Sequence, residues 1–246
     1  MKNLLIYINP NKKFSPEHED LTRIQIDNSL ALGWNLNDLL LVTNFKYKHN
    51  GVESLVVGDE NYCEFGPCGS KIYAIVTLFE KGLIGQDLYW FHDDDAFQLQ
   101  KDINPKLHKK EFGMVAYDGA PLGLRNYVGA NRWNSGSIFF KNSASDIFNS
   151  AKLWMQDHLS GEERAFMKIQ IHDSSFMDRT KMLNSTYNFM PSSRIGDFES
   201  RYPTAKKPIK IVHFDPFNNS QNRLSQAVVS KALMNLFNKY QIRNKL

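Results

Sequence analysis

Three consecutive aspartates, Asp93, Asp94 and Asp95, follow directly on the apolar run Leu88-Tyr89-Trp90-Phe91 and a single histidine, His92. Such an apolar run reads as a strand that ends where the aspartates begin. Adjacent carboxylates repel one another, and burying them unpaired is costly. Something positive must therefore meet them. In an open parallel sheet that meeting point lies outside the carboxyl ends of the strands, where ligands sit.

The residues around this run supply such a sheet. Leu4–Ile8 is a short apolar, β-branched stretch stopped by Asn9-Pro10, and Leu39–Val42 and Leu55–Val57 read as further strands. Between them, Ser15-Pro16-Glu17 has the order of an N-cap, a proline in the first turn and an acidic first turn, and Gly33 stops the helix. A second helix, capped by Ser70, carries Ile72, Ile75, Val76 and Phe79 on one face and ends at Gly82. Alternation of this kind predicts an α/β fold, a mostly parallel sheet with helices on both faces. The second half is looser. Met114–Tyr117, Ser137–Phe140 and Ile211–Phe214 read as strands. Helices are expected where Ile147, Phe148, Ala151, Trp154 and Met155 share a face, over Glu162–Ile171, and where Val229, Leu233, Leu236, Phe237 and Tyr240 do so.

No repeat or proline-rich linker interrupts the 246 residues, which favours one domain over 1–246. Its first half, 1–100, carries the acidic triplet, and 101–246 ends in the amphipathic helix. The aromatic content of 13% is enough for one sizeable core. A net charge of +4 is too weak to imply nucleic acid by itself, though it admits a polyanionic ligand. No stretch approaches the roughly 18 apolar residues of a membrane span, and the first apolar run is too short for a signal-peptide core. A cytoplasmic protein is expected, with Cys63 and Cys68 as free thiols.

Side chains two apart on a strand point the same way, so Asp93 and Asp95 are expected to share a cation while Asp94 faces elsewhere. Carboxylate oxygens suit Mn²⁺ or Mg²⁺, above all when phosphate oxygens complete the shell. His213, set between apolar neighbours in Ile211-Val212-His213-Phe214, is a candidate third ligand. Taken alone, it also reads as a core histidine, and the triplet alone as a solvated acidic turn.

A third segment, Trp133-Asn134-Ser135-Gly136 followed by Ser137-Ile138-Phe139-Phe140, joins these two in order. Together they resemble the GT-A class of nucleotide-sugar glycosyltransferases, in which an apolar strand leads into an Asp-x-Asp motif. The Asn-Ser-Gly segment is similar to that of the glycogenin-like family 8, and Ile211-Val212-His213-Phe214 resembles its closing metal-ligand histidine. Gly161-Glu162-Glu163 stands where that family has Gly-Asp-Gln, and Leu183-Asn184-Ser185-Thr186-Tyr187-Asn188 where it has Leu-Pro-x-x-Tyr-Asn. The form Asp93-Asp94-Asp95-Ala96-Phe97 also looks like the variant of fringe-like and β1,3-galactosyltransferase families. The chain departs from family 8 after His213, where Asp215-Pro216 stands in place of Gly and Lys-Pro-Trp, and Lys206-Lys207-Pro208 comes before.

The resemblance implies a GT-A fold and transfer of a sugar from a nucleotide-sugar donor, by class a UDP-sugar, to an acceptor hydroxyl on a glycan, protein, small molecule or modified DNA. Asp93, Asp95 and His213 would hold Mn²⁺ or Mg²⁺, and Asp94 would touch donor hydroxyls. Asn134, Ser135 and Gly136 would lie at the donor. Asn9, at the same sheet edge, is a further donor contact; its plain alternative is an Asn-Pro turn. Lys71, one residue into its helix, and Arg125, in the loop bearing Gly119, Gly123 and Gly129, are candidate diphosphate contacts, and that loop is a candidate lid. Glu162, Glu163 and Asp173 are candidates for an acceptor base, which an inverting enzyme requires. The family 8 pieces point to retention and the Asp-Asp-Asp-Ala-Phe form to inversion. Two other classes stay open: a two-metal phosphodiester enzyme such as a nuclease or nucleotidyltransferase, and a non-catalytic sugar- or nucleic-acid-binding protein using Lys106–Lys110 and Lys206–Lys210.

Overall fold

A computed structural model of the chain describes residues 1–117, 130–191, 198–217 and 228–242. Its strands are β1 (Lys2–Tyr7), β2 (Leu39–Thr43), β3 (Lys48–His49), β4 (Val52–Val56), β5 (Tyr89–His92), β6 (Ala96–Gln98), β7 (Phe112–Ala116), β8 (Trp133–Phe140), β9 (Thr180–Leu183) and β10 (Ile211–His213). The helices are α1 (Pro16–Ala31), α2 (Ser70–Glu80), α3 (Ser145–His158), α4 (Glu162–His172), α5 (Phe176–Arg179), α6 (Phe198–Arg201) and α7 (Lys231–Lys239). Eight strands form one sheet in the order β3-β4-β2-β1-β5-β8-β7-β9, and β6 and β10 pair separately. β4, β2, β1 and β5 run parallel, whereas β8 is antiparallel to both β5 and β7. The sheet is therefore mixed, with its parallel half built from the first 92 residues.

Helices cover both faces. On one, Ile72, Ile75 and Val76 of α2 and Phe148 of α3 pack with Leu4, Phe91, Ile138 and Phe140 of the sheet. On the other, Ile26 of α1 packs with Leu5, Leu39, Leu41 and Val52. Leu21 and Ile24, on a different side of α1, join Leu233 and Phe237 of α7 in a second core with Phe97 and Phe214. Helix α1 is thus enclosed on two sides, which explains why it lacks a clean apolar stripe. Its buried polar residues have partners instead. Gln25 donates to the carbonyls of Asp94 and Ala96 at 2.9 and 3.1 Å, and Asn28 to that of Gln98 at 2.8 Å.

Two local expectations are corrected. Ser70 is the first helical residue of α2 rather than its cap. A 3₁₀ turn, Pro67–Gly69, runs straight into the helix, and the Ser70 hydroxyl accepts from the Cys63 N–H at 2.9 Å. The acidic triplet is also not a strand continuation. The Ala96 N–H bonds to the Asp93 carbonyl at 3.0 Å, closing a tight turn between β5 and β6. Both cysteines are free thiols, Cys63 buried and Cys68 exposed. Among the described residues, no helix is long and apolar enough to cross a membrane.

Candidate active site

The turn at Asp93–Asp95 lies at the carboxyl end of β5, and its neighbours are fixed by strand register. β8 runs antiparallel to β5 with Ser137 opposite His92, so Gly136 falls beside Asp93, and the Asp93 N–H bonds to the Gly136 carbonyl at 3.0 Å. β10 runs antiparallel to β6 with His213 opposite Ala96, and the Phe214 N–H bonds to the Asp95 carbonyl at 3.0 Å. Two separate pairings thus carry Asn134–Gly136 and His213 to the triplet. Gly136 makes the approach possible. A Cβ there would lie 2.2 Å from His213 Cε1 and 2.5 Å from Nδ1, closer than any side chain can tolerate.

Ligand atoms of Asp93, Asp95 and His213 all lie within 4.8 Å of one another. Each carboxylate of the turn has its own basic partner. Lys71 Nζ lies 2.8 Å from Asp93 Oδ1, His213 Nε2 lies 3.0 Å from Asp95 Oδ1, and His18 Nδ1 makes a short contact with Asp94 Oδ2. Burial lifts Asp93 and Asp94 above the usual carboxylate range despite these partners. For Asp95 burial pulls the same way, but the charge and hydrogen bond of His213 outweigh it and the net direction is down. Burial lowers His213, yet Asp95 overrides it and the imidazole rises to about 9. His92, buried without a carboxylate partner, falls to about 4 and is neutral, held by Asn3 Oδ1 at 2.9 Å.

The donor set of two carboxylates and one imidazole fits a divalent ion such as Mn²⁺ or Mg²⁺. One detail strengthens the fit: among the described residues His213 Nδ1 is buried without a hydrogen-bond partner, so protonating both ring nitrogens strands one of them.

Two cavities meet at this point. The first, about 640 Å³, is lined by Tyr7, Asn9, His18, Tyr62 and the three aspartates among others. The second, about 620 Å³, is lined by Arg132, Asn134, Ser135, Gly136, Glu162, Glu163 and Arg164 among others. Cys68, Lys71, Asp93 and His213 line both. In the first, Asn9 is held at both ends: its N–H bonds to Asn44 Oδ1 at 3.0 Å and its side-chain amide donates to the Tyr7 hydroxyl at 2.9 Å. In the second, Glu162 pairs with Lys71 at 3.2 Å and accepts from the Ser135 hydroxyl at 2.9 Å. Burial lifts Glu162, but Lys71 and these bonds bring its net direction down. Glu163 Oε1 accepts from the Tyr117 hydroxyl at 3.0 Å and the Ser135 N–H at 3.3 Å, and burial leaves its carboxyl raised. Asn134 Oδ1 accepts from the Gly136 N–H at 2.9 Å and from Asn188 at 2.7 Å, which ties the Leu183–Asn188 stretch to the site.

Lys71 is not a free cation reaching for a ligand. It is 5% exposed, and burial, which lowers it, is overcome by Asp93 and Glu162. Asp173 is not brought to the site. It follows α4 at the end opposite Glu162, about 16 Å along the helix, and its carboxylate accepts from Ser175. Arg125, with the Gly119, Gly123 and Gly129 loop, falls in 118–129, outside the described residues. His18, Tyr7, Tyr62 and Cys68 were missed by sequence reasoning. Of these only His18 carried a signal, being a polar residue in the first turn of a helix that starts beside Asn9.

Comparisons with protein-family models and with curated proteins find no match in sequence. Solved structures do match in fold. The galactosyltransferase LgtC in complex with donor and acceptor sugar analogues superposes with a TM-score of 0.57 at 13% identity, over 96% of this chain and all of that one. Mouse xyloside xylosyltransferase 1 gives 0.54 at 13% identity, covering 87% and 97% of the two chains. The glycosyltransferase GlyE of Streptococcus pneumoniae gives 0.55 at 11% identity, covering 98% and 64%. The architecture is the GT-A fold shared by these glycosyltransferases.

Proposed function

We propose that this protein is a metal-dependent glycosyltransferase that moves a sugar from a nucleoside diphosphate donor, by class a UDP-sugar, to an acceptor hydroxyl. The observation that carries the reading is the convergence of Asp93, Asp95 and His213 where two cavities meet at the carboxyl end of the parallel strands. Asp93, Asp95 and His213 would hold Mn²⁺ or Mg²⁺. A divalent ion supplies positive charge to the departing diphosphate. The nucleotide occupies the first cavity, where Asp94, oriented by His18, and Asn9 meet its hydroxyls. The transferred sugar and the acceptor share the second with Asn134, Ser135 and Gly136.

Lys71 holds Asp93 and Glu162 in place from below, so its work is to position. Of the two glutamates, Glu162 is tied to the buried Lys71 and held below the usual carboxylate range, whereas Glu163 has no basic partner among the described residues and burial leaves it raised. Glu163 is therefore the group that takes up the acceptor hydroxyl's proton, and a carboxyl raised by burial is the better base of the two. Two-metal phosphodiester chemistry finds less support, because among the described residues only this one group of side chains is close enough to hold an ion.

Thermal-shift screening against UDP-, GDP-, CMP- and dTDP-sugars, with and without Mn²⁺, tests the proposal. The expected result is stabilisation that needs donor and metal together. Absence of any shift with all four donors and Mn²⁺ would overturn it.

A further inference from the structure

Among the described residues, four basic and three acidic side chains line the second cavity, and the basic ones differ in how they are partnered. Lys71 is neutralised by Asp93 and Glu162, and His213 by Asp95. Arg132 and Arg164 also line this cavity and not the first. Both are exposed, and among the described residues neither forms an ion pair. Arg132 lies over the Tyr117 ring at 4.8 Å, the same tyrosine whose hydroxyl holds Glu163. Stacking engages the face of a guanidinium and leaves its in-plane N–H donors open for an oxyanion. Arg164 sits in the first turn of α4, beside the positive end of the helix dipole, where a cation is disfavoured. Helix stability therefore does not account for an arginine there.

We infer that the second cavity receives an acceptor bearing a phosphate or carboxylate group, which Arg132 and Arg164 grip together. The inference rests on the donor reading above, since it assigns the nucleotide to the first cavity. The two arginines hold the anionic end of the acceptor while its hydroxyl lies towards Glu163. A planar fork favours such a group strongly over a neutral one, because charge-assisted paired hydrogen bonds are about twice as strong as neutral ones.

The test is calorimetric. Protein loaded with UDP and Mg²⁺, so that the first cavity is filled, is titrated with inorganic phosphate and separately with acetate. Saturable binding of one of these is expected, phosphate preference assigning a phosphorylated acceptor and acetate preference an acidic sugar. Affinity should fall about tenfold in Arg164→Gln and on the order of 100-fold in Arg132→Gln/Arg164→Gln, with UDP affinity within about threefold of wild type. No saturable binding of either anion by about 50 mM, or equal binding by the double variant, overturns the inference. So does a preference for UDP-glucuronate over UDP-glucose that the double variant abolishes, which places the anion on the donor. If UDP and Mg²⁺ do not bind wild-type protein at all, the donor reading fails instead, and phosphate titration of unloaded wild type against the double variant still decides the anion site.

Discussion

Helix α1 serves two acidic clusters, and they are built differently. His18 near its start and Gln25 in its middle reach the Asp93–Asp95 turn. Near its end, Asp27 gathers four donors: His49 at 2.8 Å and Asn50 at 2.6 Å on one oxygen, Lys239 at 2.8 Å and Tyr240 at 2.7 Å on the other. Asp27 is 7% exposed, lines neither cavity, and has every lone pair occupied. Burial pushes it up, but its donors hold it below the usual range. At the triplet each carboxylate has one basic partner, a neighbouring nitrogen is stranded, and the side chains border open volume. A saturated buried acid fastens α7 and the 48–50 hairpin to α1. An unsaturated one is free to exchange its partner for a ligand.

The contrast breaks most sharply under substitution. Asp95→Asn should lower kcat/KM by about 10³ or more, roughly 4 kcal/mol of transition-state stabilisation. Comparable activity in that variant, measured with the donor found by screening, would show that the triplet is as structural as Asp27. Asp27→Asn should do the reverse, costing about 3 kcal/mol, or roughly 6–12 °C in Tm, with kcat retained. Because the folded carboxyl is depressed, its contribution is present above the unfolded value near 4 and is lost as pH falls through the folded value. Acid unfolding curves should therefore converge for wild type and variant. Next in size, Glu163→Gln should cut kcat by about 10² with KM for donor nearly unchanged, and should flatten the acid limb of the pH–rate profile. An unchanged profile would remove Glu163 from proton transfer.

The smallest effect concerns His213. Its pKa rises from 6.5 unfolded to about 9 folded. In metal-free protein the stabilisation is complete below pH 6.5 and disappears as pH climbs through about 9. Urea melts at pH 6 and pH 9.5 measure it. Mn²⁺ with UDP should abolish the decline, since the ion takes the proton's place beside Asp95. The Asp27 region should show no such metal sensitivity.

The first half was the more legible in sequence. Ser15-Pro16 marked the start of α1, and the spacing of Ile72, Ile75 and Val76 marked α2, because both signals are local. β6, β9 and the strand character of Asn134–Gly136 were not legible. Those residues are held in place by partners far along the chain, such as Ile211 opposite Gln98 and Lys181 opposite Gly113. The pairing of Lys71 with Glu162 was hidden for the same reason, since it joins two helices 91 positions apart. The triplet was conspicuous because charge at a strand end is costly wherever the chain goes next. Its geometry was not, for a tight turn and a strand end present the same three letters.

The most direct measurement is Mn²⁺ binding followed by electron paramagnetic resonance, in wild type and Asp95→Asn, with and without UDP. The account predicts that wild type removes free Mn²⁺ from solution, that UDP tightens this at least tenfold, and that the variant does neither. Equal Mn²⁺ uptake by both proteins, or UDP binding indifferent to the metal, would contradict it.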